Sequence, residues 1–365
     1  MEKIRENNMD LLRIICCISV IVIHVSASYC SLAINTNLIG KIYNNGIFFS
    51  NFINCITRFA VPCFVMLAGG FALSKKVSYK EFYAKKLKSI VLPTLIFSIF
   101  YALYYLSKIM LASFVNGTEI PIDNLIKILI DFLTGNCGYH MWYLYMIIFI
   151  YLITPVLYSI KEKIGDVNFN KLGIILLVVS IPFALTSTHK FSYDIGFSIY
   201  YVGYYILGYT IKEKNHKKSN KNFIKYLTIA LILLFINSFF RLYIINQGMN
   251  DEEFQLPFIG NFSPISNFSV LVVIASILIY KAFANLSFEK NIINITKYSL
   301  YVYLMHALVL DVLYTFFLKL TLTPYIAIPL YTVIVFIGSL ILSKIYLFIY
   351  KKIEMAIKFA KSANT

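Results

Sequence analysis

The sequence predicts an all-α polytopic membrane protein with about ten transmembrane helices and both termini in the cytoplasm. Composition is the first of three observations behind this prediction. Of the 365 residues, 59% are hydrophobic and 14% are charged, whereas soluble domains contain about 45–50% and about 25%. The mean hydropathy of +0.74 agrees with a membrane protein. The length of the apolar segments and the distribution of lysine are the other two observations.

Ten apolar segments follow one another along the chain, and each approaches the roughly 20 residues that cross a hydrocarbon core. The first segment is too long for a signal-peptide core and contains an arginine and a histidine, so we interpret it as a span. The fifth and sixth segments are shorter and richer in Tyr, Gly and Ser. The predicted spans are residues 11–32, 48–73, 90–114, 141–160, 171–188, 197–211, 223–245, 262–284, 298–318 and 323–350.

Lysine clusters alternate along the chain with nearly uncharged loops, and this pattern predicts the orientation. The loops on one side carry single lysines at positions 41, 127, 190 and 319 and an acidic run at 251–253. Because cytoplasmic loops carry the excess of Lys and Arg, the clusters mark the cytoplasmic side. The formal charge of +16 does not indicate nucleic-acid binding, which uses one sustained basic face. The clusters lie in residues 3–5, 75–88, 161–163, 212–221, 281–297 and 351–361.

The loops are short and contain no Pro- or Ser-rich linker. We therefore predict a single membrane-embedded domain over residues 1–365, with its core at about 8–345 and no separate soluble domain. The six cysteines form no CxxC pair and no Cys/His spacing suited to zinc, so we expect no metal site. Motifs of serine hydrolases, P-loop enzymes, zinc proteases and dinucleotide-binding proteins are absent from the sequence.

The first span contains two polar side chains on one helical face. Arg13 and His24 are eleven residues apart, which is close to three helical turns and roughly 16 Å in depth. A charge inside a span is costly and calls for a reason. Arg13 could instead extend toward the membrane surface and pair with Asp10 one turn earlier. His24 could instead bond to a neighbouring helix.

Four further polar or aromatic residues lie in or beside predicted spans. Arg58 lies near the middle of the second span, and Pro62 is expected to kink the helix beside it. His140 and Trp142 begin the fourth span, where they could also form an interfacial aromatic belt. His306 lies in the middle of the ninth span. We interpret Arg58, His140, Trp142 and His306 as candidate substrate-binding or acyl-donor-binding residues.

At these residues the chain resembles the acyltransferase-3 family of integral membrane acyltransferases. The family hallmark is an arginine, ten intervening residues and a histidine in the first helix, which Arg13 and His24 match. Members include O-acyltransferases of surface polysaccharides and of enterobacterial common antigen. One departure is LAGG at residues 67–70, where relatives have a serine before a single glycine. Further matching segments are RFAVPCFVMLAGG, YHMWYLYMIIFIYLITP, YYVGYYILGY and SLYVYLMHALVL.

The resemblance implies transfer of an acyl group, usually acetyl from acetyl-CoA, to a hydroxyl of a glycan or a lipid-linked acceptor. It implies that His24 is catalytic and that Arg13 is essential. Acyl-CoA is then a donor substrate, and no cofactor is bound permanently. The partners are the donor, the glycan acceptor and the lipid bilayer, without nucleic acid. The location is a bacterial cell membrane.

A mechanism follows from this resemblance and the predicted depths. The donor is cytoplasmic and the glycan is external, so Arg13, His24 and Arg58 would line a polar path between them. Arg13 would position the donor, and Arg58 would stabilise the oxyanion. His24 would act as general base, because an imidazole with a pKa of about 6.5 accepts a proton near neutrality.

Two alternatives stay open at this level. His24 could itself be acylated and then discharged to the acceptor. The chain could also be a transporter or flippase of a lipid-linked glycan that performs no chemistry, in which case His24 would tolerate Gln.

Overall fold

The computed structural model describes most of the chain and divides it into two compact units. The first unit comprises residues 1–57 and 288–365, and the second comprises residues 58–287. The predicted acidic run 251–253 lies outside the described residues, as do residues 3–5, Lys41, Lys75, Lys76, Lys190, Lys217 and Lys319. The described residues are 6–35, 45–74, 78–186, 195–214, 218–247, 255–256, 260–261, 263–290, 292–317 and 322–363.

Both units are built from helices. The strands in the described ranges are two residues long and pair antiparallel, Gln255–Leu256 with Gly260–Asn261. A five-residue π-helical segment, Leu87–Val91, joins the fourth helix to the fifth. The helices are α1 Asn7–Asn35, α2 Asn45–Ile56, α3 Ala60–Ala72, α4 Tyr79–Lys86, α5 Leu92–Asn116, α6 Ile122–Thr134, α7 Trp142–Thr186, α8 Ile195–Tyr200, α9 Val202–Glu213, α10 Asn220–Asn246, α11 Val270–Asn285, α12 Ile293–Thr296, α13 Ser299–Phe317 and α14 Pro324–Ala363.

The predicted membrane class is confirmed, and each predicted span overlaps a helix. Within the described residues, six helical stretches are long and apolar enough to cross a bilayer. Two shorter apolar helices, Val270–Asn285 and Ser299–Tyr314, accompany them. The count of ten spans, the cytoplasmic position of both termini and the single domain stay predictions. The six stretches are Asn7–Tyr29, Gly46–Ala72, Tyr79–Asn116, Trp142–Pro182, Asn220–Asn246 and Pro324–Ala356.

The second predicted span is interrupted beside Arg58, as expected from Pro62. Helix α2 ends at Ile56 and α3 begins at Ala60. The Thr57 hydroxyl donates to the carbonyls of Ile53 and Asn54 at 2.9 and 3.0 Å, as such side chains do where a helix ends. Pro62 falls in the first turn of α3, where its missing N–H is not needed. In a continuous helix the Pro62 ring would clash with the carbonyl of Arg58, four residues earlier, so the break at residues 57–59 confirms the expected kink beside Arg58.

The fourth and fifth predicted spans are closer together than expected. Residues 161–170 were predicted as a loop, but helix α7 runs from Trp142 to Thr186 and is interrupted only at Gly165. Gly165 has φ 75° and ψ 162°, a conformation that is essentially confined to glycine. The polar residues around it form the ends of two helices. The turn between the two segments is thus a single glycine.

Glycines bring α3 and α9 into direct backbone contact in the second unit. A Cβ on Gly69 would lie 1.8 Å from the Tyr205 carbonyl oxygen, and one on Gly208 would lie 2.0 Å from the Met66 carbonyl oxygen. A Cβ on Gly70 would lie 2.5 Å from the Tyr280 hydroxyl. Real Cβ atoms do not approach backbone oxygens this closely. Close packing therefore requires both glycines of the LAGG segment.

Buried tyrosines surround this contact and have hydrogen-bond partners in the second unit. The Tyr204 hydroxyl donates to the Asn267 carbonyl at 2.6 Å, and the Tyr205 hydroxyl lies 2.8 Å from Thr154 Oγ1. Asn267 also donates to the Tyr201 hydroxyl at 2.8 Å. Buried polar groups that are bonded in this way avoid the cost of desolvation. These hydroxyls therefore fix the relative position of α7, α9 and the start of α11.

Candidate functional site

Arg13 forms an ion pair on helix α1 in the first unit. Its Nη1 donates to Asp10 Oδ1 at 2.9 Å, one turn toward the N-terminus. Asp10 is buried, whereas Arg13 is partly exposed. The sequence left this pairing open as an alternative, and it is present. A guanidinium has five N–H donors, so it can bind a carboxylate and a second anion together. The role of Arg13 in donor binding stays a prediction.

Neighbouring helices hold the backbone on both sides of His24. Asn54 on α2 is buried and donates to the Ile23 carbonyl at 3.0 Å and to Ser26 Oγ at 2.9 Å. Tyr314 on α13 donates to Ser28 Oγ and lies 3.5 Å from the His24 carbonyl. Sequence reasoning missed both residues. The available signal was the run SNFIN, which places polar side chains in an otherwise apolar helix.

The His24 ring lies against a second imidazole. The rings of His24 and His306 are stacked, with centroids 5.4 Å apart and planes inclined by 28°. His24 is partly exposed, whereas His306 is fully buried at 0%. Two residues that the sequence separates by 282 positions are thus brought together within the first unit. His306 had been predicted to bind substrate or donor, and this contact gives it a position beside the predicted catalytic residue.

The tautomer of His306 follows from its hydrogen bond. Its Nδ1 lies 2.5 Å from the Tyr303 carbonyl oxygen. Because a carbonyl can only accept, Nδ1 carries the proton, and in the neutral ring the lone pair is on Nε2. The bond also fixes the orientation of the ring on α13. His306 is therefore a rigid surface for the ring of His24.

Arg58 lies in the turn Thr57–Phe59, immediately before α3, and is partly exposed. It belongs to the second unit, whereas His24 belongs to the first. The predicted depth of Arg58 beside His24 therefore stays a prediction. Arg58 therefore lies in a turn, outside the regular hydrogen bonding of helices α2 and α3.

His140 and Trp142 lie at the start of α7 in the second unit. The His140 ring is 1% exposed and meets the edge of Tyr101 with centroids 5.0 Å apart. A buried imidazole does not fit the aromatic-belt alternative. Trp142 is partly exposed and its ring lies 6.1 Å from that of Tyr201. The structure thus places both beside aromatic rings, and their binding roles stay predictions.

Cys137 lies in the loop that leads to His140. Burial raises the pKa of its thiol to about 11, although a hydrogen bond from Ser98 acts in the opposite direction. A thiol with this pKa is protonated near neutral pH and is a poor nucleophile. Cys137 is therefore not a candidate for carrying an acyl group.

Arg241 is a buried charged residue that sequence reasoning did not single out. It is 4% exposed on α10, one turn after Asn237, which is fully buried. Asn237 donates to the Pro264 carbonyl at 2.8 Å and accepts from Ser269 Oγ at 3.3 Å. An arginine inside the predicted span 223–245 was the available signal. It marks a polar cluster at the end of α10.

Comparison with known proteins adds one result to this geometry. The sequence model of a family described as an acyltransferase domain, acyltransferase-3, matches residues 6–344. Comparisons with curated proteins and with solved structures gave no match. The matched residues include most of both segments of the first unit and the whole of the second.

Proposed function

Because the chain belongs to the acyltransferase-3 family, we propose that it transfers an acyl group, acetyl foremost, from cytoplasmic acyl-CoA to a hydroxyl of a surface polysaccharide or lipid-linked glycan. Family membership supports membrane acyltransferase activity, and the apolar helices support action at a membrane. The observation that carries the proposal for this chain is the stacked pair of His24 and His306. We propose a bacterial cell membrane as the location.

His24 acts as the general base in this proposal. Its imidazole takes the proton from the acceptor hydroxyl, and the oxygen attacks the thioester carbonyl. The tetrahedral intermediate then collapses and the C–S bond breaks. His24 passes its proton to the departing CoA thiolate, which leaves as the thiol. In the covalent variant, a ring nitrogen of His24 attacks the thioester carbonyl and the C–S bond breaks to release the CoA thiolate. The acceptor oxygen then attacks the acyl-imidazole, the C–N bond breaks to restore the His24 ring, and the hydroxyl proton passes to the thiolate.

His306 acts through His24 as a positioning residue. Its Nδ1–H is committed to the Tyr303 carbonyl, so its ring cannot rotate without loss of that bond. The stacked ring of His24 is held on one side by this surface. Asn54 and Tyr314 hold the α1 backbone at Ile23, His24 and the following turn. Reaction rates are sensitive to such positioning, because a shift of about 1 Å can cost about 10²-fold.

The remaining candidates would bind the two substrates. Arg13 would bind a phosphate or the pantetheine end of acyl-CoA while it stays paired with Asp10. Arg58 would donate to the oxyanion of the intermediate. Trp142 and the buried His140 would provide aromatic and hydrogen-bonding contacts for a glycan. The basic segments would attract the charged donor by simple electrostatics.

The proposed transfer can be measured in membranes. Vesicles that contain the chain receive acyl-CoA labelled in the acetyl group, and label is followed into the glycan fraction. Mass spectrometry compares surface glycans from a deletion strain with those from its parent. We expect label transfer only with the chain present, and loss of an acyl ester from the deletion strain. Unlabelled glycan, with glycan that fails to reach the surface in the deletion strain, would instead support the transporter.

A further inference from the structure

Helix α6 has an apolar side that the rest of the second unit leaves uncovered. It lies within residues 115–140, which the sequence analysis treated as a loop. Apolar residues recur in it at the spacing of one helical face. All of them are exposed, and Ile122 and Leu133 reach 70% and 72%. This apolar stripe consists of Ile122, Leu125, Ile126, Leu129, Ile130 and Leu133.

The other sides of α6 differ in character. Asp123, Lys127 and Asp131 follow one another at intervals of four residues, so their charges alternate along one face. At 3.6 residues per turn, the centre of this face lies about 130° around the helix from the apolar stripe. Ile128 and Phe132 lie on a third side and are less exposed than the stripe. Helix α6 thus has an apolar side, a charged side and a side packed toward the protein.

The apolar stripe follows directly on the lipid-facing surface of α5. Near the end of α5, Phe114 is 84% exposed and is accompanied by exposed Leu111 and Val115. Helix α5 belongs to the apolar stretch Tyr79–Asn116 that is able to cross a membrane. Gly117, at φ 64°, ends this helix in the left-handed conformation. The five residues 117–121 then lead into α6.

The far end of α6 is fixed by a second left-handed glycine. Gly135 has φ 83°, and a Cβ there would lie 2.7 Å from the Tyr145 ring. The Asn136 N–H donates to the Asp131 carbonyl at 2.6 Å. The chain then enters the loop that carries buried His140. Helix α6 therefore has defined ends, and its orientation is set by the second unit.

We propose that α6 lies flat in the membrane–water interface, at the end of α5 remote from α4. Its apolar stripe contacts lipid acyl chains, and Asp123, Lys127 and Asp131 face the headgroups and water. The partner is the bilayer, because the stripe continues the exposed apolar surface of a membrane-crossing helix. An amphipathic helix with this division of residues is suited to such a position. This placement is independent of the proposed acyl transfer.

The test uses the full chain in lipid nanodiscs that hold one copy each. A fluorophore is attached at Ile126→Cys on the stripe, and the matched control is Asn124→Cys on the other side of α6. A second pair, Leu129→Cys on the stripe and Lys127→Cys as its control, is used if a variant of the first pair fails to fold. Quenching is measured with a nitroxide-labelled lipid and with iodide in water. Labelling of the unmodified chain gives the background from its own cysteines.

We expect the lipid quencher to act several-fold more strongly on Ile126→Cys than on Asn124→Cys, and iodide to show the reverse order. Equal access of iodide to both positions would place α6 in water and overturn the proposal. Protection of Ile126→Cys from both quenchers, with disulfide formation between copies in discs that hold two chains, would assign the stripe to a second copy. That result would also overturn it.

Discussion

The surroundings of His24 in the first unit and the glycine contact in the second unit use polar and small residues in different ways. Around His24, buried Asn54 from α2 and partly buried Tyr314 from α13 bond to one short section of α1, and the ring itself stays partly exposed. Around Gly69 and Gly208, backbones touch, and the hydroxyls of Tyr204 and Tyr205 form internal hydrogen bonds. Side-chain hydrogen bonds organise the first region, whereas close backbone packing organises the second.

This difference predicts how the two regions respond to substitution. Changes beside His24 should reduce acyl transfer and leave the fold intact, because the partners of the ring are few and local. Changes at the glycine contact should reduce the amount of folded protein, because nothing in the contact can move aside. Three substitutions test this contrast.

The largest effect is expected for Gly69→Ala. The added methyl would lie 1.8 Å from the Tyr205 carbonyl oxygen, so α3 and α9 must separate. The gain of about 1 kcal/mol in helix propensity does not offset that loss of packing. We expect a large fall in the melting temperature, or no folded protein, in fluorescence-detected size-exclusion chromatography.

The matched control for Gly69→Ala is Gly173→Ala on α7 in the same unit. Its Cβ would lie 2.7 Å from Ile206 Cγ2, which is a side-chain methyl group and not a backbone atom. We expect a smaller fall in melting temperature here than for Gly69→Ala. Equal stability of both variants would show that the α3–α9 contact is not as close as described.

The second effect separates the two interpretations of Arg13. If the guanidinium binds acyl-CoA, Arg13→Ala should lower kcat/KM for acyl-CoA about 10–10²-fold, mainly through a higher KM, which is the scale for loss of a hydrogen bond to a charged group. Asp10→Asn should keep most of the activity, because the arginine remains. Steady-state kinetics in nanodiscs measures both variants. If Arg13→Ala and Asp10→Asn lose activity to the same extent and melting temperature to the same extent, the ion pair has a structural role instead.

The third effect concerns His306 and the way it acts. His306→Phe keeps a ring against His24 but loses the bond to the Tyr303 carbonyl. We expect kcat to fall by about 10²-fold with little change in the KM for acyl-CoA, because positioning is lost rather than binding. His140→Phe in the second unit is the comparison, and it should change the KM for the acceptor. A raised donor KM with unchanged kcat in His306→Phe would return His306 to donor binding.

The sequence was sufficient for features that depend on local periodicity. The shared face of Arg13 and His24 follows from their separation along α1, which is one continuous helix. The pairing of Arg13 with Asp10 follows from their separation of three residues on the same helix. The membrane class follows from the length of the apolar runs. These predictions required no knowledge of which helices are neighbours.

Features that depend on tertiary packing could not be predicted from the sequence pattern. The contact of His24 with His306 requires α1 and α13 to be adjacent, and no local signal encodes this. The need for Gly69 in LAGG depends on the α9 backbone that packs against it, which the sequence pattern does not reveal. Helix α6 was missed because it is too short and too interrupted by charges to be a span, although its apolar spacing was visible.

The central claim is that the imidazole of His24 performs the transfer. The most direct measurement compares His24→Ala with the unmodified chain, both purified in nanodiscs with labelled acyl-CoA and acceptor. We predict a fall in acyl transfer of about 10²–10⁴-fold, the usual contribution of a general base, with an unchanged melting temperature. Transfer at the full rate by correctly folded His24→Ala protein would contradict catalysis by His24.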